Sequence, residues 1–204
     1  MKPNLQRFQD KLHRPVLKAW VSAMCWLLVL SAGLLGLPSA VLRAQPSRPS
    51  EYQVEAAYLY NFSRFVEWPA QITSERSMPF AICVLGKDPF GAVLDVTLSG
   101  AGNSLIAKRL SKPQDALGCR ILFVGASEQD HLKEIITALG KASVLTVSDI
   151  PRFSERGGMI EFVLQGDKVR FEVNLTNATD AGLTVSSDLL KVAVAVRKNP
   201  PSGA

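Results

Sequence analysis

The sequence predicts an α/β domain: a single-domain sandwich built on a mixed, partly parallel sheet, closed by a C-terminal β-hairpin and a last helix. Three observations carry this. Short, largely apolar runs (FAICVL at 80–85, ILFV at 121–124, VLTV at 144–147) have the length of buried strands. Stretches of helical length separate them, and strand–helix alternation argues for parallel pairing. Beyond residue 158 the rhythm changes: Met159–Leu164 and Lys168–Val173 are joined only by Gln165, Gly166 and Asp167, the spacing of an antiparallel hairpin.

The elements follow in order. Residues 1–44 open with Lys2, Arg7, Lys11, Arg14 and Lys18, then run without charge from Ala19 to Leu37, the order of a secretory signal. Cleavage after Ala44 or after Ala40 both fit. The alternative is an uncleaved anchor of 19 apolar residues, at the short end for a bilayer span. Either way the domain is placed outside the cytoplasm. Residues 45–50 are a linker, 51–198 the domain, and 199–204 a flexible tail.

Glu51–Trp68 is expected to be a helix, with Glu51 and Glu55 in its first turns where the dipole favours anions and Pro69 stopping it. It is apolar around much of its girth, so it is either packed on all sides or partly offered to a partner. Phe80–Leu85 is a strand. Gly86 turns the chain, Asp88 caps a helix of about Pro89–Leu98 with Pro89 at its first position, and Ser104–Leu110 is a further strand. Arg120–Val124 is a buried strand, and Ser127 with Asp130 suggests a capping box for a helix Glu128–Leu139. Val144–Val147 is the next strand. In the hairpin's second strand Val169, Phe171 and Val173 alternate with Lys168, Arg170 and Glu172, so one face is wet. Ser186 or Ser187 caps a final helix on which Leu189, Val192 and Val196 recur at helical spacing.

Charge and cysteine usage restrict function. Six of the 23 Lys and Arg and one of the 18 Asp and Glu lie in residues 1–44, which leaves 17 of each sign beyond them. The basic balance belongs to the leader, and the domain has no basic stretch to track phosphates, so nucleic acid is not an expected partner. Beyond the leader two cysteines remain, Cys83 and Cys119. In an oxidising compartment they can pair across neighbouring strands, or they can stay as buried thiols.

Catalytic constellations are sparse. His131 is the sole histidine beyond the leader, no G-x-S-x-G elbow accompanies it, and no ligand set for zinc is evident. LGKDPFG lacks both the Gly-Lys-Ser/Thr ending and the dinucleotide glycine spacing. Asp149, Glu155 and Glu161 are interspersed with Arg152 and Arg156, which suggests a salt-bridged loop more than a paired-acid site. The expectation is a protein that is not an enzyme and takes no cofactor or metal.

Three segments carry a family resemblance: YLYNFSRFVEWP at Tyr58–Pro69, ICVLGKDPFG at Ile82–Gly91, and the long run from Val144 to Ala193 containing SDIPRFSERGGMIEF and VRFEVNLTNATDAGL. Together they resemble the YfiR family of small periplasmic proteins, from roughly Tyr52 to Val196. The resemblance implies an α/β domain that represses an inner-membrane diguanylate cyclase through the cyclase's periplasmic portion, and so controls cyclic-di-GMP and biofilm formation. It also implies that an outer-membrane lipoprotein can sequester the repressor. A homodimer is a further expectation. Some relatives carry a second cysteine pair that is absent here, which leaves Cys83 and Cys119 as the redox-active candidates. The expected partner surface is Tyr58, Phe62, Phe65, Trp68, Leu189 and Leu190. The alternative is a small-ligand sensor, with its ligand at the strand ends near Gly86–Phe90 and Gly125–Ser127.

Overall fold

The computed structural model describes residues 49–70, 79–100 and 105–198. The expected leader and its cleavage sites, the linker up to residue 48 and the tail at 199–204 lie outside them. Among the described residues no helix is long and apolar enough to cross a membrane.

Helix α1 spans Glu51–Phe65. It starts where it does because Ser50 and Gln53 form a reciprocal capping box, each side chain bonded to the other's backbone N–H. It ends three residues short of Trp68, because Val66 and Glu67 turn extended as strand β1 and pair antiparallel with β8, Thr184–Val185. Pro69 therefore follows the end and does not cause it. Strand β2 (Phe80–Leu85) leads to helix α2 (Ala92–Ser99), then β3 (Leu105–Leu110) and β4 (Ile121–Val124). α2 begins later than expected, since Asp88 uses its carboxylate to accept from the Phe90 N–H in a local turn.

The helix expected at Glu128–Leu139 is split into a 3-10 turn, Ala126–His131, and helix α3, Leu132–Leu139. Ser127 is no cap: its hydroxyl accepts from the Lys87 N–H at 2.9 Å and donates to Glu128. Strands β5 (Leu145–Ser148), β6 (Ile160–Gln165) and β7 (Lys168–Asn174) follow, then helix α4 (Leu175–Asp180), β8, helix α5 (Ser187–Val192) and β9 (Ala195–Arg197). Ser186 is the cap of α5, accepting from the Leu189 N–H. Val196, expected on this helix, sits on β9.

The main sheet runs β3-β2-β4-β5-β6-β7-β9. Every pairing is parallel except the expected β6–β7 hairpin, which is antiparallel with Gln165 opposite Lys168 and Phe162 opposite Phe171. Side chains alternate across it. Ile82, Val84, Ile121 and Phe123 point to a face covered by α1, α2, α4 and α5. Ala81, Cys83, Leu85, Leu122 and Val124 point to the other, under α3 and the 3-10 turns. The domain is thus three layers thick, with helices on both sides of the sheet.

Cys83 and Cys119 are joined by a disulfide, with their Cα atoms 6.0 Å apart. It ties β2 to a residue two positions before β4 on the α3 face. The loop it closes spans a sequence separation of 36, for which chain-entropy arguments give about 4 kcal/mol.

Candidate functional site

The six residues expected at a partner surface divide by burial. Phe62 is fully buried in an aromatic cluster, with its ring centroid 5.3 Å from Phe171, 5.9 Å from Tyr58 and 6.0 Å from Phe162. Leu189 is also in the core. Neither presents surface to a partner, and both leave the candidate set for that reason. Tyr58 is half-buried over Phe162 and Phe171. Trp68 is half-buried edge-on to Phe80, and Leu190 is half-buried on α5. Phe65 is 39% exposed. The helix therefore buries one side, through Glu55, Ala56, Leu59 and Phe62, while Glu51, Gln53, Ala57, Arg64 and Phe65 are exposed.

Val96, Leu117 and Leu164 are exposed singly, whereas Val192, Val194 and Val196 are exposed together in sequence, two of them on or beside β9. The hydrogen bond from the Ser186 N–H to the Phe65 carbonyl joins the end of α1 to the start of α5. Strand β9 is the last in sheet order, so among the described residues its outer backbone groups have no ladder partner. At the opposite edge β3 carries exposed Lys108 and Arg109. Arg109 bonds the Asp88 and Asp95 carboxylates at 2.7–2.8 Å and the Gly91 carbonyl, which holds the Asp95 carboxyl below its ordinary range. A charged edge resists strand addition, and an apolar one invites it. Sequence reasoning missed β9 because its apolar spacing also fits a helix.

The expected ligand crevice at the ends of β2 and β4 is closed. A Cβ on Gly86 would fall 2.4 Å from the Ser127 hydroxyl, and one on Gly125 would fall 2.8 Å from the Lys87 carbonyl. The two loops clasp each other where a ligand would sit.

The acidic residues also separate. Glu155 pairs with Arg152 at 2.6 Å and Arg197 at 3.3 Å, the salt-bridged loop expected. Glu161 is buried but fully engaged: it accepts from the Arg152 N–H, the Ser154 N–H and the Ser154 hydroxyl. Asn174 ties the same loop to β7 through the Ser154 carbonyl. Glu55 is different. It is completely buried, and neither carboxylate oxygen has a hydrogen-bond partner. Burial first, then the nearby Asp149 and Glu51 charges, push its carboxyl up to about 8. Asp149 is half-buried, its Oδ1 is also unpartnered, and burial raises its carboxyl too. Both residues line a recess of about 290 Å³ with Glu51, Pro151, Phe162 and Leu164. His131 lies on the surface 3.9 Å from Glu128. Among the described residues no group of three or more His, Cys, Asp or Glu is placed to hold a metal.

Comparison with known proteins places this geometry. A family profile described as YfiR/HmsC-like matches residues 52–194. Among solved structures, a conserved domain protein from Vibrio cholerae O1 biovar El Tor is similar with a TM-score of 0.55 at 12% identity, over 72% of this chain and 60% of that one. The ABC domain in complex with L-Trp from Streptococcus pneumoniae is similar with a TM-score of 0.52 at 10% identity, over the same shares of each chain. The chain thus spans 60% of the length of each of these structures, and at such identities the likeness is one of α/β fold alone.

Proposed function

The chain belongs to the YfiR/HmsC-like family over residues 52–194, and from that premise we propose that it is an exported, non-enzymatic regulator of an inner-membrane diguanylate cyclase. The family match, which spans nearly all of the described domain, is the observation that carries this reading. In it the mature domain sits in the periplasm, binds the cyclase's periplasmic portion and holds the enzyme inactive, so that cyclic-di-GMP and biofilm formation stay low. The Cys83–Cys119 disulfide suits an oxidising compartment.

The β9 edge supports a binding role. A short strand with open backbone groups and exposed Val194 and Val196 accepts an extended segment by strand addition, with the valines supplying apolar contact. Of the expected surface residues, Leu190 lies on α5, just before this strand, whereas Trp68 packs on Phe80 of β2, away from it. The same edge on a second copy would serve a homodimer, and an outer-membrane lipoprotein that sequesters the chain would compete for it.

The test is genetic and biochemical. Deleting the chain from its host should raise cyclic-di-GMP, restoring it should lower the level again, and tagged chain should retain a diguanylate cyclase from solubilised inner membranes. Unchanged cyclic-di-GMP together with recovery of another class of receptor would move the regulator to a different pathway and defeat the cyclase assignment. A second reading, a small-ligand sensor, is favoured by one specific observation: both Glu55 carboxylate oxygens and Asp149 Oδ1 are without partners in their recess.

A further inference from the structure

Among the described residues four buried side-chain polar atoms lack a hydrogen-bond partner, and three of them belong to two residues that line one recess: both oxygens of Glu55 and Oδ1 of Asp149. The fourth, Trp68 Nε1, belongs to the aromatic packing at the end of α1. Native proteins leave few such atoms, and each calls for a cause. Burying a carboxylate without a partner costs far more than burying a methylene. A leucine at position 55 would fill the same volume between α1 and the sheet without that cost. Protonation removes the charge but leaves the acceptor oxygens unmet, so it is only half a solution.

The surroundings define what would complete it. Glu51 and Tyr52 approach from α1 itself, Asp149 from the end of β5, and Glu161 from β6. The Glu161 carboxylate is already saturated by three donors from the 152–154 loop. No lysine or arginine lines the recess. Its remaining wall is apolar: Pro151, Phe162, Val163, Leu164 and Val169, with Leu164 61% exposed at the mouth. A volume of about 290 Å³ is at the lower end for small-molecule sites.

We propose that this recess binds a small organic ammonium ion carrying an apolar stem, with the ammonium held by Glu55 and Asp149. The stoichiometry of donors fits. A primary ammonium offers three N–H donors and no acceptor, and three acceptor atoms stand unmet. The stem lies along Phe162, Leu164 and Val169, where it removes exposed apolar surface from water. Because Glu55 is held protonated near neutral pH in the empty recess, binding the ammonium releases a proton. The inference stands apart from the regulatory reading, since it needs no protein partner.

The experiment is calorimetric titration of the full chain with n-butylamine and with cadaverine, using n-butanol as the uncharged control and a lysine-containing peptide as a protein-borne source of the same group. The amines should bind, butanol should not, and Glu55→Gln should weaken amine binding at least tenfold. If pairing needs ionised Glu55, affinity should tighten roughly fiftyfold from about pH 6 to about pH 8, as the competent fraction grows. Titration in buffers of different ionisation enthalpy should register the released proton. Thermal melts of Glu55→Gln would establish that the loss is not unfolding, and Asp149→Asn provides a second variant with the same expected loss. Absence of amine binding at millimolar concentration overturns the proposal. So does equal binding of butanol, an unaltered affinity in both variants, or binding of the lysine peptide alone.

Discussion

Replacing Glu55 with glutamine should make this fold more stable in mild base, the reverse of what removing a buried carboxylate partner usually does. The carboxyl titrates at about 8 in the fold, against a reference value of 4.5. Between those values the folded chain holds a proton that the unfolded chain has released. The folded state therefore binds more protons, and stability falls as pH rises. The contribution is fully present below the unfolded value and is lost once pH passes the folded one. The slope is about 1.4 kcal/mol per pH unit, and over this interval the ceiling is about 5 kcal/mol. Asp149, also raised by burial, adds to the loss in the same direction. Glutamine copies the shape of the protonated carboxyl and does not titrate. At about pH 5 the variant and the parent should agree within about 1 kcal/mol, and at about pH 9 the variant should exceed the parent by several kcal/mol. Urea unfolding across the pH series, with amines excluded from the buffers, reads this directly. Parallel profiles for the two proteins would refute the reasoning, because they would mean that Glu55 titrates normally and that water reaches it.

Other perturbations follow from the packing. Reducing the Cys83–Cys119 bond, or replacing both residues with alanine, should cost about 4 kcal/mol, seen as a lower urea midpoint with and without reductant. Phe62→Ala should cost about 3–5 kcal/mol, because it empties the centre of the aromatic cluster. Phe65→Ala should stay within about 0.5–1 kcal/mol, and the pair of melts separates core from surface on one helix. Gly158→Ala should destabilise by more than about 3 kcal/mol, since its Cβ would fall 2.1 Å from the buried Phe153 ring; a near-neutral melt would show that the 153–158 loop yields. Val196→Glu should leave the melting temperature close to the parent's while abolishing cyclase retention by the tagged chain. Normal retention would remove β9 from the interface.

Much of the fold was legible because strands here are short apolar runs with distinct ends. β2, β4 and the β6–β7 hairpin fall within a residue or two of their expected limits. Helix boundaries were less legible. Ser127 has the look of a cap in sequence, yet its hydroxyl is committed to Lys87, 40 residues away, and the helix starts only at Leu132. The Ser50–Gln53 capping box and the Asn174 cap of α4 were local signals that could have been read. Of the neighbouring glycines, Gly157 takes a positive φ of 107°, whereas Gly158 is required by the ring of Phe153 lying against it.

The candidate sites divide the same way. Sequence identified an apolar α1 but could not separate Phe62 from Phe65, because which arc of a helix meets the sheet depends on strands a hundred residues away. It placed Glu55 in the early turns of a helix, where an acid is ordinary. By itself the sequence determined the fold class, the equal number of acidic and basic residues beyond residue 44 and the family, all of which are properties of composition, period and local motif. Only the tertiary structure decided that β9 is an edge strand with an exposed valine, that Cys83 and Cys119 are joined, that the β2–β4 crevice is shut, and that Glu55, whose own carboxylate finds no donor, shares a recess with Asp149. Burial and partnership are relations between distant segments, and no local pattern encodes whether a carboxylate will find a donor when the chain closes over it.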